Sequence, residues 1–170
     1  MTFHRPYYPR TVIAHLYLNV LAASFLTPRH IRKWLYRLWG ADIQTIRVSH
    51  SCQIGGRQLS IGEDSFINYG CRFDTSAQIS IGRDVFVAEG VRFVTSTHTL
   101  GPPSRRAGHC TAKPIVVGNG CWIGTGAIIL PGAVIGNGCV IAAGSVVKEN
   151  FICEPNYLYA GVPAVWKKAL

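Results

Sequence analysis

Across residues 117–147 an aliphatic side chain returns at every sixth position, and a small residue follows it four places later. Written in sixes the stretch reads VGNGCW, IGTGAI, ILPGAV, IGNGCV and IAAGSV before Val147. Val117, Ile123, Ile129, Ile135 and Ile141 fill the first slot, while Cys121, Ala127, Ala133, Cys139 and Ser145 fill the fifth. A period of six matches neither the repeat of an amphipathic helix nor the alternation of a strand. Fixed-period self-similarity instead marks a solenoid whose units bury a core only by stacking. Each six predicts one short strand and one corner, and three corners close a coil. Residues eighteen apart then stack: Val117 on Ile135, Ile123 on Ile141, Ile129 on Val147 and Cys121 on Cys139. The first slot fills a triangular interior, the fifth must be small where the chain turns, and glycine supplies the positive φ that such corners need.

The pattern is also clear from Ile61 to His98, as IGEDSF, INYGCR, FDTSAQ, IGRDVF, VAEGVR and FVTSTH. Two extra residues, Ile79 and Ser80, widen that coil to twenty and predict an outward bulge at a corner; Leu59 and Ser60 repeat the widening. Between Ile46 and Ile61 the register is imperfect. After His98 the stretch TLGPPSRRAGHCTAKP, residues 99–114, interrupts the repeat. Gly101, Pro102, Pro103 and Gly108 argue against helix or strand and predict a projecting loop, a type of element that commonly carries function on a rigid scaffold. Beyond Phe151 the repeat fades. The expected architecture is an all-β solenoid. Residues 1–45 supply an N-terminal arm and two helices, 46–151 the β-helix, and 152–170 a C-terminal tail.

Residues 1–10 are aromatic, polar and broken by proline, which predicts an irregular arm. In residues 11–26, Ile13, Tyr17, Leu21 and Phe25 recur every fourth place, as do Val12, Leu16 and Val20, and this helical spacing gives Thr11 as a cap. The run is shorter than the ~20 apolar residues of a membrane span and contains His15 and Asn19. A signal peptide is the rival reading, with Arg5 and Arg10 ahead of the apolar run and Ala22, Ala23 and Ser24 as a cleavage region. His15 and Asn19 weigh against it too. Thr27 and Pro28 predict the cap and first residue of a second helix ending at Gly40. Its apolar face is Ile31, Trp34, Leu35, Leu38 and Trp39, with Arg29, Arg32, Lys33 and Arg37 largely elsewhere. A basic amphipathic helix with two tryptophans could make a peripheral contact with an anionic membrane. Packing on the prism or a neighbouring subunit is the favoured expectation.

The chain has 17 Lys and Arg against 8 Asp and Glu, a net charge of +9. Residues 1–48 hold Asp42 as their one acidic side chain. Such a field attracts polyanions, but no zinc-finger, helix-turn-helix or aromatic-rich motif accompanies it, so nucleic acid is not an expected partner. The cysteines include no CxxC pair. Cys71, Cys121 and Cys139 sit in the small fifth slot, where a thiol behaves as a compact hydrophobe. This favours a reducing compartment over a disulfide framework or a metal site. Cys52, Cys110 and Cys153 have no assigned role.

INYGC, then TSTH, a loop ending in KP, the run from VGNGCWIG to AAGSVV, and AGVPA together resemble the hexapeptide-repeat acetyltransferases. The nearest branch is that of the maltose and galactoside O-acetyltransferases and their polysaccharide-modifying relatives, and the resemblance covers residues 61–164. It implies a left-handed parallel β-helix, an exception to the usual right-handed crossover. It also implies homotrimers that hold acetyl-CoA between neighbouring prisms, and a cytoplasmic location, with the inner face of the membrane as an option. His98 would be the general base that takes the proton of a sugar hydroxyl attacking the thioester, without an acyl-enzyme. Asp74, Glu89 and a backbone carbonyl are all candidates to orient it. Asn68 matches an asparagine beside the acceptor or the developing oxyanion, or it caps a corner. Gly70 stands where many relatives have a second asparagine. Trp122, Thr125, Ala143 and Gly144 match positions along the cofactor arm, and Lys148 is the expected phosphate partner, with Lys167 and Lys168 as reinforcements. Val165 and Trp166 replace the basic residue that commonly follows the Pro-Ala pair.

Arg105 and Arg106 could meet an acidic acceptor and His109 could reach a neighbouring site, but the favoured expectation for all three is a solvated place in the loop. Amino-sugar N-acetylation, or acetylation of a drug-like hydroxyl compound, is the near alternative. A metal-dependent hydratase with His98, His109 and a third histidine is more distant, because His50 falls in the irregular start of the repeat. A non-catalytic scaffold is the third class. No metal is expected.

Overall fold

The structure, a computed structural model, describes residues 9–170. Short strands wind through three parallel ladders that form the faces of a triangular prism. The first face stacks Asp42–Ile43, Leu59–Ile61, Ile79–Ile81, Ile115–Val117, Val134–Ile135 and Ile152–Cys153. The second stacks Phe66–Ile67, Phe86–Val87, Trp122–Ile123, Val140–Ile141 and Tyr157–Ala160, and the antiparallel strand Val165–Ala169 closes its edge. The third stacks Gln53–Ile54, Arg72–Asp74, Arg92–Val94, Ile128–Ile129 and Val146–Val147. The chain passes from first to second to third face at what we term the first and second corners, and returns at the third.

The register follows the hexapeptide spacing. Val117 lies opposite Ile135, Ile123 opposite Ile141 and Ile129 opposite Val147. All of these are buried, and burying one such side chain stabilises by roughly 1.5–3 kcal/mol. Corners stack closely: a Cβ on Gly62 would stand 2.6 Å from the Gly82 carbonyl carbon of the next coil. The fifth-slot thiols also bond between coils. Cys71 donates to the Ala88 carbonyl at 3.2 Å, and Cys121 and Cys139 donate to Gly136 and Glu154 at 3.0 Å. All six cysteines are free thiols.

Several expectations are corrected. Ile79 and Leu59 are buried in the first face, so the widened coil lengthens its strands, Leu59 opposite Ile79, instead of bulging outward. Residues 99–114 are not irregular throughout: Ser96–Leu100 and Ala107–Ala112 form an antiparallel hairpin. Its prolines are confined to the tip, where no ladder amide is needed. The prism begins at Asp42, before residue 46, and Ile152–Cys153 and Tyr157–Ala160 extend its ladders beyond residue 151.

Two helices close the N-terminal end. The helix α1, Pro9–His15, runs into a π-helical stretch, Leu16–Ala22, and α2 spans Arg29–Leu38. Most of the arm expected at residues 1–10 and the side chain of Thr11 lie outside the described residues, but Thr11 is within α1 and does not precede it. Leu18 and Ala22 face the core, whereas Ile13, Leu16, Val20 and Leu21 face outward. The four-residue periodicity therefore reported the outer surface, because the π-helical stretch rotates the buried positions. Asn19 explains its place in an apolar run: its side chain accepts from Ile54 N at 2.8 Å and donates to Ile54 O at 3.2 Å, covering the edge strand Gln53–Ile54. Thr27 does not cap α2; its hydroxyl donates to the Leu21 carbonyl at 2.7 Å.

α2 buries Arg32, Leu35 and Tyr36 and exposes Ile31, Trp34 and Leu38. The expected faces are thus partly exchanged, and the cause is Arg32. Its guanidinium donates to the carbonyls of Ala22, Val48, Ser24 and Thr27 at 2.7–2.9 Å, tying α2, the turn before it and the start of the prism together. Among the described residues no helix is long and apolar enough to cross a membrane. Replacing Arg32 with Met should strand those carbonyls at a cost of about 3 kcal/mol or more, read as a lowered melting temperature, whereas an unchanged melting temperature would contradict this role.

Candidate functional site

The hairpin leaves the prism at the third corner, and Asp74 anchors its base. One carboxylate oxygen accepts from Thr95 N at 3.1 Å, Ser96 N at 2.8 Å and Ser96 Oγ at 2.6 Å, and the other accepts from Ser76 Oγ at 2.7 Å. Burial alone would raise the pKa of Asp74, but hydrogen bonds from Ser96 and Ser76 outweigh it and hold the carboxyl below its ordinary value. The anchor is therefore complete above the ordinary carboxylate range and loosens as pH falls through the depressed value.

His98 is exposed on the first hairpin strand, with its Nδ1 3.1 Å from the Gly108 carbonyl of the second. A carbonyl can only accept, so Nδ1 carries the proton and donates, which leaves the Nε2 lone pair of the neutral ring facing away from that bond. Of the candidates to orient His98, the backbone carbonyl is the one that meets it. Asp74 is committed to the hairpin base, and the Glu89 carbonyl accepts from Gly126 N at the second corner. Gly108 fits because the strands approach closely there: a Cβ would stand 2.6 Å from Thr99 Oγ1 and 2.8 Å from Thr99 O.

A second group of expected residues lies elsewhere. Trp122 projects from the second face, 54% exposed, and Thr125, Ala143 and Gly144 are exposed at the second corner. Gly70, Gly90, Gly126 and Gly144 have φ between 68° and 70°. Around the last three a Cβ would meet nothing within 4 Å. The corner therefore stacks glycines with open space around them, beside the side chains of Asn68 and Thr125. Asn68 sits at the same corner, where its Oδ1 accepts from Tyr69 N at 2.9 Å and its NH₂ has no protein partner among the described residues. Corner capping and donation to a ligand are thus both available to it.

Lys148 is on the third corner, with its ammonium 5.5 Å from the Phe151 ring. Lys167 and Lys168 lie in the exposed strand that closes the second face, and Trp166 packs edge-on against Tyr157. Within one chain, His98 and Lys148 are therefore a full face away from Asn68, Trp122, Thr125, Ala143 and Gly144, on the order of 13–17 Å of extended strand. His50 stacks on Tyr69, apart from His98 and His109. No three metal-ligating side chains gather among the described residues.

Residues 114–149 match the family described as bacterial transferase hexapeptide (six repeats). A candidate acetyltransferase of Staphylococcus haemolyticus is 44% identical over 131 residues, which cover 76% of this chain and 67% of that protein. The chain belongs to the hexapeptide-repeat acetyltransferase family. A maltose O-acetyltransferase from Clostridium difficile superposes with a TM-score of 0.83 at 30% identity, covering 96% of this chain and 89% of the other. A hexapeptide-repeat acetyltransferase of Vibrio cholerae, solved with acetyl-CoA, gives 0.77 at 29% identity over 90% of this chain and 83% of its own. Against a candidate acetyltransferase of Dictyostelium discoideum the identity is 35% over 109 residues, and the chain spans 55% of that relative's length.

Two hairpin residues were not legible as site residues. Gly108 is one, and Cys110 is the other, exposed and directly opposite His98. The other thiols are buried, and burial pushes Cys121 up to about 11 and Cys153 up to about 12. Native-state alkylation near neutral pH should therefore modify one thiol per chain, mapped to Cys110 by peptide mass. Rapid reaction at a second cysteine would contradict the packing of the corners.

Proposed function

We propose that this acyltransferase is an acetyl-CoA-dependent O-acetyltransferase acting on a hydroxyl of a sugar or polysaccharide precursor. The observation that carries the reading is the 3.1 Å approach of His98 Nδ1 to the Gly108 carbonyl, which leaves Nε2 as the ring's proton acceptor. Nε2 accepts the proton of the acceptor hydroxyl as its oxygen attacks the thioester carbonyl. A C–O bond forms and the C–S bond breaks, and the imidazolium returns the proton to the departing thiolate, so no acyl-enzyme is required. The NH₂ of Asn68 is available to the developing oxyanion or to the acceptor.

Trp122, Thr125, Ala143 and Gly144 line the course of the pantetheine arm, for which the glycine edge of the second corner leaves room. Lys148 meets the cofactor phosphates at the cost of its place over Phe151. Because His98 and the arm-lining residues occupy different corners of one prism, the complete site joins the third corner of one copy to the second corner of another, and the working assembly is a homotrimer. The donor places the reaction in the cytoplasm.

His98→Ala should retain acetyl-CoA binding while turnover falls about 10²- to 10⁴-fold. Calorimetry and a thiol-release assay read the two quantities, and unchanged turnover would remove the mechanism. Mild base distinguishes the product class, since an ester is cleaved and an amide survives. A base-stable product would move the acceptor to an amino sugar.

A further inference from the structure

The acyltransfer reading leaves a cleft on the third face without a role. It has a volume of ≈ 450 Å³ and lies between the strands that carry Gln53, Arg72 and Arg92 and the helical residues His15 and Asn19. Arg72 and Arg92 stand directly opposite each other in the parallel ladder, between the buried rings of Phe73 and Phe93 on the inside and solvent on the outside. Strands in a ladder lie about 4.8 Å apart, and like charges placed directly opposite are destabilising. Such a pair is ordinarily relieved by a carboxylate.

Here the one carboxylate in the cleft wall, that of Asp74, is engaged elsewhere. Among the described residues the one ion pair is Arg83 with Asp84. Glu63, Asp64, Asp84 and Glu154 sit at the first corner, Asp42 on the first face, Glu89 at the second corner and Glu149 at the third. Asp74 reaches the cleft, but Ser76, Thr95 and Ser96 occupy its oxygens. Asn19 is engaged by the Ile54 backbone. The remaining groups in the wall are neutral or basic, so two guanidiniums face the cleft with no protein acceptor.

The position is also informative. Arg72 follows Asn68 by four residues, and Val94 at the other side of the cleft precedes His98 by four. The cleft therefore crosses the face that separates the Asn68 corner from the His98 corner of one copy, and so borders the two composite sites to which those corners belong, in the early coils, away from the later coils that carry Ala143 and Gly144.

We propose that the cleft is an anion-reading subsite for the acceptor, and that Arg72 and Arg92 select a glycan bearing a carboxylate or phosphate. Guanidiniums suit either, because their planar forks match two oxygens of a carboxylate or phosphate. The proposal rests on the acyltransfer reading and refines its substrate class.

The test uses the full chain and three acceptors: a glucuronate-containing oligosaccharide, the same oligosaccharide with its carboxyls reduced to alcohols, and a glycosyl phosphate. Direct binding and acetyl transfer are measured for each, with wild type, Arg72→Gln, Arg92→Gln and the double variant. Wild type should favour one or both charged acceptors over the reduced one by about tenfold or more in kcat/KM, mainly through KM, and the double variant should lose that preference while still binding acetyl-CoA. The arm that shows the preference separates carboxylate from phosphate. Transfer without charge preference, or a preference that survives in the double variant, would overturn the subsite and leave the enzyme reading intact. Charge-selective binding without any transfer would keep the subsite and overturn the enzyme reading. Dissociation of the oligomer in the double variant, seen by light scattering, would also overturn the subsite, because it would show the arginines paired with another copy.

Discussion

A coil of this prism cannot bury its own interior. Ile123 is covered only because Val87 lies on one side of it and Ile141 on the other, and the same holds for the first-slot residues of the inner coils. Stability is therefore passed from coil to coil, and the two ends are where it can fail. At the N-terminal end Leu18, Ala22, Leu35 and Tyr36 join the core, and Arg32 binds the turn that brings them there. At the other end Val165–Ala169 folds back antiparallel on the last second-face strand and pairs an edge that would otherwise present open backbone groups.

The same constraint decides where chemistry can sit. Inward positions are committed to apolar side chains and corners must stay narrow, so reactive groups are left with outward face positions, exposed corner residues and whatever a corner extrudes. The extruded hairpin holds His98 against the Gly108 carbonyl, and Asp74 ties its base to the prism. The second corner contributes the opposite kind of surface, a stack of glycines with open space around them. One triangular prism presents these two surfaces on different corners, and the proposed site brings them together by joining two copies.

The repeat was legible because it is a packing rule written at fixed spacing: the eighteen-residue pairs, the small fifth slot and the widened coil can all be counted along the chain. What was missed had no such period. The hairpin of residues 96–112 was hidden because Gly101, Pro102 and Pro103 dominate its composition, although they occupy only the tip. The burial of Arg32 was hidden because charge is ordinarily assigned to solvent, and the carbonyls that receive it come from four separate residues. The π-helical stretch leaves most of the apolar stripe of residues 11–26 facing outward. For the site, His98 was named through the family resemblance of the residues around it, but which carbonyl would meet it could not be read, since Gly108 lies ten residues away across a hairpin that was not foreseen. The unpaired Arg72 and Arg92 emerge only when the ladder register sets them side by side.

The central claim is that one catalytic unit is assembled from the third corner of one copy and the second corner of another. Co-expression of His98→Ala, which removes the base, with Ala143→Trp, which fills the cofactor edge, tests it most directly. Each variant alone should be inactive, whereas mixed assemblies should regain roughly a quarter of wild-type turnover, the share of sites in which random mixing joins the two intact corners. Absence of recovery in assemblies shown by native mass to contain both variants would contradict the shared site.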